Sequence, residues 1–220
     1  MWNKVMLTML AENIFITLYM TLVSTAVAYV LGLPMGIALV VTAKEGLRPN
    51  RVVYKILDTI VNVVRSVPFL ILLILVLPLT RAIVGKGYGP SATVVPLVLA
   101  AAPFIARMVE SSLLEVDKGV IEAAQSMGAN LRTIIVKVML GEARTSLVVG
   151  ATIVLGTVLG YSAMSGIVGG GGLGDIAIQY GYYRRQEDLM WVTVILLVLL
   201  VQVMQFLGTK LSKKLDRRIR

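Results

Sequence analysis

The chain contains no histidine and no cysteine. Those two absences remove thiolate nucleophiles, disulfides, iron–sulfur and thiolate zinc sites, and imidazole proton relays. The ionic chemistry that remains rests on 21 Lys+Arg and 12 Asp+Glu. Arg65, Arg107 and Glu110 stand out because they fall in or beside long apolar stretches, where an ionisable group is a functional candidate by default. Snorkelling of the long side chains towards an interface is the alternative. Arg107 and Glu110 are spaced i, i+3 and can pair, for ~0.2–0.5 kcal/mol if exposed. Gly85-Lys86 invites comparison with a phosphate-binding loop, but Gly87 follows in place of Ser or Thr and no Gly stands five before Gly85. It reads as a turn, so any ATP hydrolysis must belong to another subunit. No nucleophile with a base, metal constellation or pair of buried carboxylates supports a membrane enzyme. The basic excess is not interleaved with aromatics, which excludes nucleic acid as a partner.

The elements that hold these residues are membrane spans. Apolar residues make up 57% of the 220 and charged residues only 15%, outside the range of soluble domains. Runs without charge at 13–43, 145–174 and 189–209 each suffice to cross a core of about 30 Å. The run 87–106 holds Pro90, Pro96 and Pro103 and predicts a bent or short helix. The run 66–80 is too short alone and extends back through Arg65 and Asp58. The reading is an all-α polytopic membrane protein forming one domain over 1–220. Its five transmembrane helices are expected near 13–42, 56–82, 90–110, 145–168 and 189–209. Gly32 and Gly36 in the first allow close helix contact, with a kink at Pro34. Gly169 to Gly172 reads first as an outer turn, with a gate or a packing surface as alternatives.

Orientation follows from the basic residues of the loops. The first connection, the third connection and the tail carry fifteen Lys and Arg, Arg217, Arg218 and Arg220 among them; the opposite side carries five. The amino terminus is expected outside and the carboxyl terminus in the cytoplasm.

The largest soluble element is the cytoplasmic loop near 115–141. Asp117 can cap a short helix through Ile121 to Met127, and Gly128 can end it in a left-handed conformation. Asn130 caps a second helix with Leu131, Ile134, Ile135 and Val138 on one face. Ala123 and Ala124 would let another protein approach the backbone closely. Two readings are open, a docking knob and an amphipathic hairpin that merely connects two spans.

The sequence Glu122-Ala123-Ala124, with Gly128 three residues beyond Gln125, resembles the Glu-Ala-Ala loop of bacterial ABC importer permeases. That family usually closes the loop with Leu-Pro, whereas here Leu140 precedes Gly141. Arg65-Ser66-Val67-Pro68-Phe69, Ala101 to Glu110, Gly160 to Met164 and Gln179-Tyr180-Gly181-Tyr182 look like the methionine-import group of that family. The resemblance implies a homodimer of this chain, two copies of an ABC ATPase that hold ATP and Mg, and an extracytoplasmic methionine-binding protein or lipoprotein. This chain itself then needs no cofactor, metal or catalytic residue. It also implies a coupling role for Glu122, Ala123, Ala124, Ser126, Met127, Gly128 and Ala129. A substrate pathway for L- and D-methionine is expected along Tyr161, Ser162, Met164 and Ser165, because a thioether needs an apolar wall with a few polar groups. A permease for another small solute, an ion-coupled carrier and a structural assembly factor are the competing functions. Inverted repeats and midplane acids, expected of a carrier, are not visible.

Overall fold

The computed structural model describes residues 4–215; the tail cations Arg217, Arg218 and Arg220 lie outside the described residues. Every regular element among the described residues is helical. Helix α1 (Lys4–Thr42) begins nine residues before the expected span, because Glu12 sits on an exposed face and does not end it. It continues through Pro34 as one helix. Helix α5 (Pro90–Leu114) is not shortened by its prolines: its 25 residues reach about 37 Å at 1.5 Å each. Pro96 and Pro103 are buried in the bundle, where neighbouring helices compensate the lost hydrogen bonds.

Gly32 and Gly36 set the packing of α1 on α5. A Cβ on Gly32 would lie 2.6 Å from the Ala102 carbonyl oxygen, and one on Gly36 would lie 2.6 Å from that of Ala106. Two small-xxx-small pairs therefore face each other, and the backbones touch with almost nothing between them. The matching order, 32 with 102 and 36 with 106, makes α1 and α5 parallel. Parallel spans require a return crossing between Thr42 and Pro90.

That crossing is broken, which corrects the single helix expected at 56–82. It consists of α2 (Arg51–Ser66), α3 (Phe69–Leu75) and α4 (Leu77–Val84), with a bend of 104° between α2 and α3. The cause is Pro68, which drives Val67 into extended backbone (φ −80°, ψ 124°) and ends α2. With the broken segment as one crossing, the bundle has five spans, as expected.

Beyond α5 the chain forms α6 (Lys118–Ser126) and a second helical stretch made of α7 (Leu131–Thr133), a π-helical segment (Ile134–Met139) and α8 (Leu140–Glu142). Gly141 stays inside this stretch, so the family's Leu-Pro exit is replaced by a helical one. Helix α9 (Arg144–Met164) returns antiparallel to α5: the Ser146 and Ser112 hydroxyl oxygens lie 3.0 Å apart, and Gly150 faces Met108. A 3-10 turn (Ser165–Val168), α10 (Gly172–Ile176) and a π-helical segment (Ala177–Tyr183) lead to α11 (Glu187–Leu215). The two ends of the described chain thus lie on opposite sides of the bundle.

The glycine-rich segment is not a plain turn. The Gly172 and Leu173 amides donate to Asn13 Oδ1 (3.0 Å) and Thr17 Oγ1 (2.9 Å) of α1, and the Gly89 amide donates to the Gly169 carbonyl (2.9 Å). A Cβ on Gly174 would meet the Ala163 oxygen at 2.1 Å. The segment is a packed plug that ties α1, α5 and α9 at one end of the bundle.

The α1–α5 contact predicts that Gly36→Ala destabilises the purified protein in detergent by about 1–3 kcal/mol through overpacking. Gly141→Ala, which adds a Cβ in open space within a helical stretch, should leave the melting temperature unchanged or raise it slightly. Thermal unfolding of the two variants side by side checks this.

Candidate functional site: a helical knob, a polar clamp and an aromatic stack

Local sequence builds the knob. Asp117 caps α6 by accepting from the Gly119 amide (2.7 Å), and Gly128 ends it at φ +77°, where its amide donates to the Gln125 carbonyl (2.9 Å). A side chain with a Cβ resists that conformation. Asn130 then starts the second stretch by accepting from the Thr133 amide (2.9 Å). Every cap expected from the sequence is present.

The knob has two faces. Glu122, Ala123, Ser126, Met127 and Gly128 are exposed, with Met127 81% open; Ala129 is half-buried. Ala124 is 5% exposed and packs into the chain's own core, so of the two alanines expected to face a partner only Ala123 is open. The reason is helical: Ala124 shares the inward face with Ile121. Beneath it the π-helical winding brings Ile134 and Met139, five residues apart, onto the inner side. Val120 and Val136 are exposed as well, Val120 on the wall of the cleft behind the knob. The knob's inner face belongs to the same apolar cluster as Leu97, Ile105 and Val154 of the spans. A cleft of about 670 Å³, lined by residues including Glu115, Asp117, Lys137 and Glu142, opens behind the knob and not beside Tyr161.

Lys118 at the start of α6 donates to Glu45 Oε2 (2.8 Å) in the loop after α1. The hydrogen bond and the charge of Lys118 hold the Glu45 carboxyl below its usual range. A depressed carboxylate stabilises the fold above the unfolded pKa, and the effect fades as pH falls through the folded one. Both side chains are 78% exposed, so the contribution is small.

A denser polar clamp joins α2 to α5. Arg107 donates to Asp58, to Glu110 Oε2 (2.6 Å) and to Asn62 Oδ1 (2.8 Å), and Asn62 Nδ2 donates to Asp58 Oδ1 (3.2 Å). The Arg107–Glu110 pair expected from spacing is formed; Asp58 and Asn62 come from a helix 45 or more residues away and were not foreseeable as its partners.

Of the four residues expected along a pathway, two turn inward. Ser162 Oγ donates to the Leu159 carbonyl (2.7 Å) and Ser165 Oγ to that of Ser162 (2.6 Å), and both are buried. The plug closes over Ser165, since a Cβ on Gly170 would stand 2.5 Å from its hydroxyl. Tyr161 is half-buried and Met164 is 45% exposed. Tyr161 stacks on Phe69 of α3, with ring centroids 4.5 Å apart and planes within 6°. Arg65 lies over the ring of Phe104, 5.9 Å from its centroid. Phe69 and Phe104 were missed as site residues, although both lie in the segments that carry the family resemblance.

Five spans around an apolar core, with a rigidly rooted helical knob beyond one end, define a polytopic membrane protein of the transport class. Residues 28–220 match the family model described as binding-protein-dependent transport system inner membrane component, and the chain belongs to that family. It is 49% identical over 202 residues to a probable D-methionine transport system permease protein of Vibrio cholerae, covering 92% of this chain and 90% of that one. To a methionine import system permease protein of Bacillus subtilis it is 42% identical over 180 residues, covering 82% and 81%. Among solved structures, a chain of a methionine ABC transporter in an inward-facing conformation superimposes with a TM-score of 0.97 at 46% identity, covering 98% of this chain and all of that one.

The clamp predicts that Asp58→Ala lowers stability in detergent by roughly 1–3 kcal/mol, because it removes a charge-assisted bond and leaves Arg107 half-satisfied. Glu45→Ala should produce no measurable change in the same melt.

Proposed function

We propose that this chain is the membrane-spanning subunit of an ATP-driven importer of methionine; relatives at 42 to 49% identity over most of its length are named as permease proteins of D-methionine transport and methionine import systems. The observation that carries the reading is the knob, whose outer face is open and whose inner face is continuous with the core of the spans. Such an element passes a push from outside the bundle to the helices around Tyr161. Two copies of this chain assemble with two copies of a separate ABC ATPase, which holds ATP and Mg. This chain hydrolyses nothing, in keeping with a Gly85-Lys86 segment that lacks the phosphate-binding pattern. An extracytoplasmic methionine-binding protein delivers the amino acid at the plug end.

The multi-pass chain sits in the bacterial inner membrane with its amino terminus outside and its carboxyl terminus in the cytoplasm. The excess of Lys and Arg on the knob side supports that orientation. Glu122, Ala123, Ser126, Met127 and Gly128 form the docking face; Ala124 and Ala129 support it from behind. Methionine passes Tyr161 and Met164, while Ser165 packs against the plug and Ser162 bonds back within its own helix. L- and D-methionine share the thioether and the charged ends, and the pathway accepts both.

Gly128→Val forces a β-branched residue to φ near +77°, at about 1–2 kcal/mol or more, and swings the second helical stretch. Glu122→Lys reverses the charge on the docking face. Both variants should insert in the membrane yet lose most ATPase copurification or methionine uptake in vesicles. Parent-level assembly and uptake in both would reduce the knob to a connector.

A further inference from the structure

Helix α2 carries three faces. Val61 packs inward with Leu39 and Ala106; Val52, Ile56, Ile60 and Val63 form an exposed apolar stripe; Lys55, Asp58, Thr59, Asn62 and Arg65 form a polar stripe between them. Along the polar stripe, charge is balanced at one level and not at another. Arg107 meets Asp58 and Glu110. Arg65, two turns further along, has no described carboxylate within 4.0 Å of its guanidinium. Phe104, the ring beneath it, is fourteen residues beyond Pro90 and ten before Leu114 in α5. An exposed guanidinium on the bundle, without a described protein counter-charge, is open to water or an anionic ligand. Four residues on, across the Val67-Pro68 break, Phe69 stacks on Tyr161, and Phe69 belongs to the apolar cluster against which Tyr161 and Phe104 both pack.

We propose that Arg65 is the carboxylate anchor of the pathway, taking the α-carboxylate of the amino acid at the α2–α3 break while the Phe69–Tyr161 stack receives its thioether. The inference rests on the methionine-import reading and adds a residue that reading leaves out. A planar guanidinium fits a carboxylate by two parallel bonds, and sulfur packs favourably at aromatic ring edges. The two features together suit a zwitterion with an apolar tail. The Phe104 ring holds the guanidinium in place from one side and leaves its edge open.

The absence of cysteine makes the test direct, since Arg65→Cys puts a unique thiol in this chain. The complete transporter, with its ATPase and methionine-binding protein, is reconstituted in proteoliposomes, and uptake of radiolabelled methionine is measured. Copurification of the ATPase reports assembly, and the parent treated with the same reagents controls for thiols elsewhere. Arg65→Cys should lower uptake tenfold or more. A methanethiosulfonate that adds an ammonium group should restore at least a third of the parent rate, and one that adds a sulfonate should restore none. Excess methionine should slow modification of the thiol severalfold, a protection that a merely structural cation would not show. Arg65→Lys, which keeps the charge without the fork, should fall between parent and Arg65→Cys, and serves if the cysteine variant fails to assemble. Parent-level uptake by Arg65→Cys, equal rescue by both reagents, no protection by methionine, or parent-level uptake by Arg65→Lys would each overturn the proposal. If the parent itself does not take up methionine, the import reading fails instead.

Discussion

The backbone contact between α1 and α5 is the constraint on which the rest depends. In lipid there is no hydrophobic drive between helices, so spans are held by close van der Waals fit and by polar bonds. Gly32 and Gly36 against Ala102 and Ala106 provide the fit, and they do so in parallel. Parallel packing forces the intervening chain back across the bilayer. It also brings Asn13 and Thr17 of α1 and Gly89 before α5 to one end, where together they hold the glycine-rich plug. At the other end the same pair of helices presents Leu39 and Ala106 to Val61 of α2, beside the Arg107 clamp.

A frame fixed in this way separates rigid from movable parts. The plug and the α1–α5 pair are tied by backbone and buried side chains. The knob is rooted through Ala124, Ile134 and Met139 in the core, yet a polar cleft lies behind it and an exposed ion pair, Lys118 with Glu45, is its tether to the loop after α1. The second helical stretch runs on through Ala143 into α9, which carries Tyr161, so the knob and the aromatic stack lie on one continuous segment of chain. The break at Val67-Pro68 lies across the aromatic stack from that residue. Its lost backbone bonds are tolerated only where the chain is buried in protein or lines a wet path.

What was legible in the sequence was what is decided locally. Asp117, Gly128 and Asn130 act within four residues of their partners, and the structure forms each turn as read. Hydropathy located the spans because length and apolarity are properties of a segment alone. The misses are tertiary. Glu12 looked like a boundary until its exposed face allowed α1 to start at Lys4. Ser162 and Ser165 looked like polar lining, but each hydroxyl bonds a carbonyl three residues back in the same segment, and the plug, which comes from a later segment, covers Ser165. Ala124 was assigned outward because helix phase was not set before the inner face was known. Pro68 disfavours helix at Val67, a signal that the single helix over 56–82, drawn to give a span long enough to cross, left out.

The account holds that ATP drives methionine through this bundle and that this chain supplies the path but not the energy. The most direct measurement is accumulation of radiolabelled methionine in proteoliposomes holding this chain with its ATPase and methionine-binding protein. The ligand is presented at the plug end and ATP at the knob end. Accumulation above equilibrium that requires ATP and the ATPase, and ignores imposed proton or sodium gradients, is the predicted result. Accumulation by this chain alone, driven by an ion gradient without ATP, would contradict it.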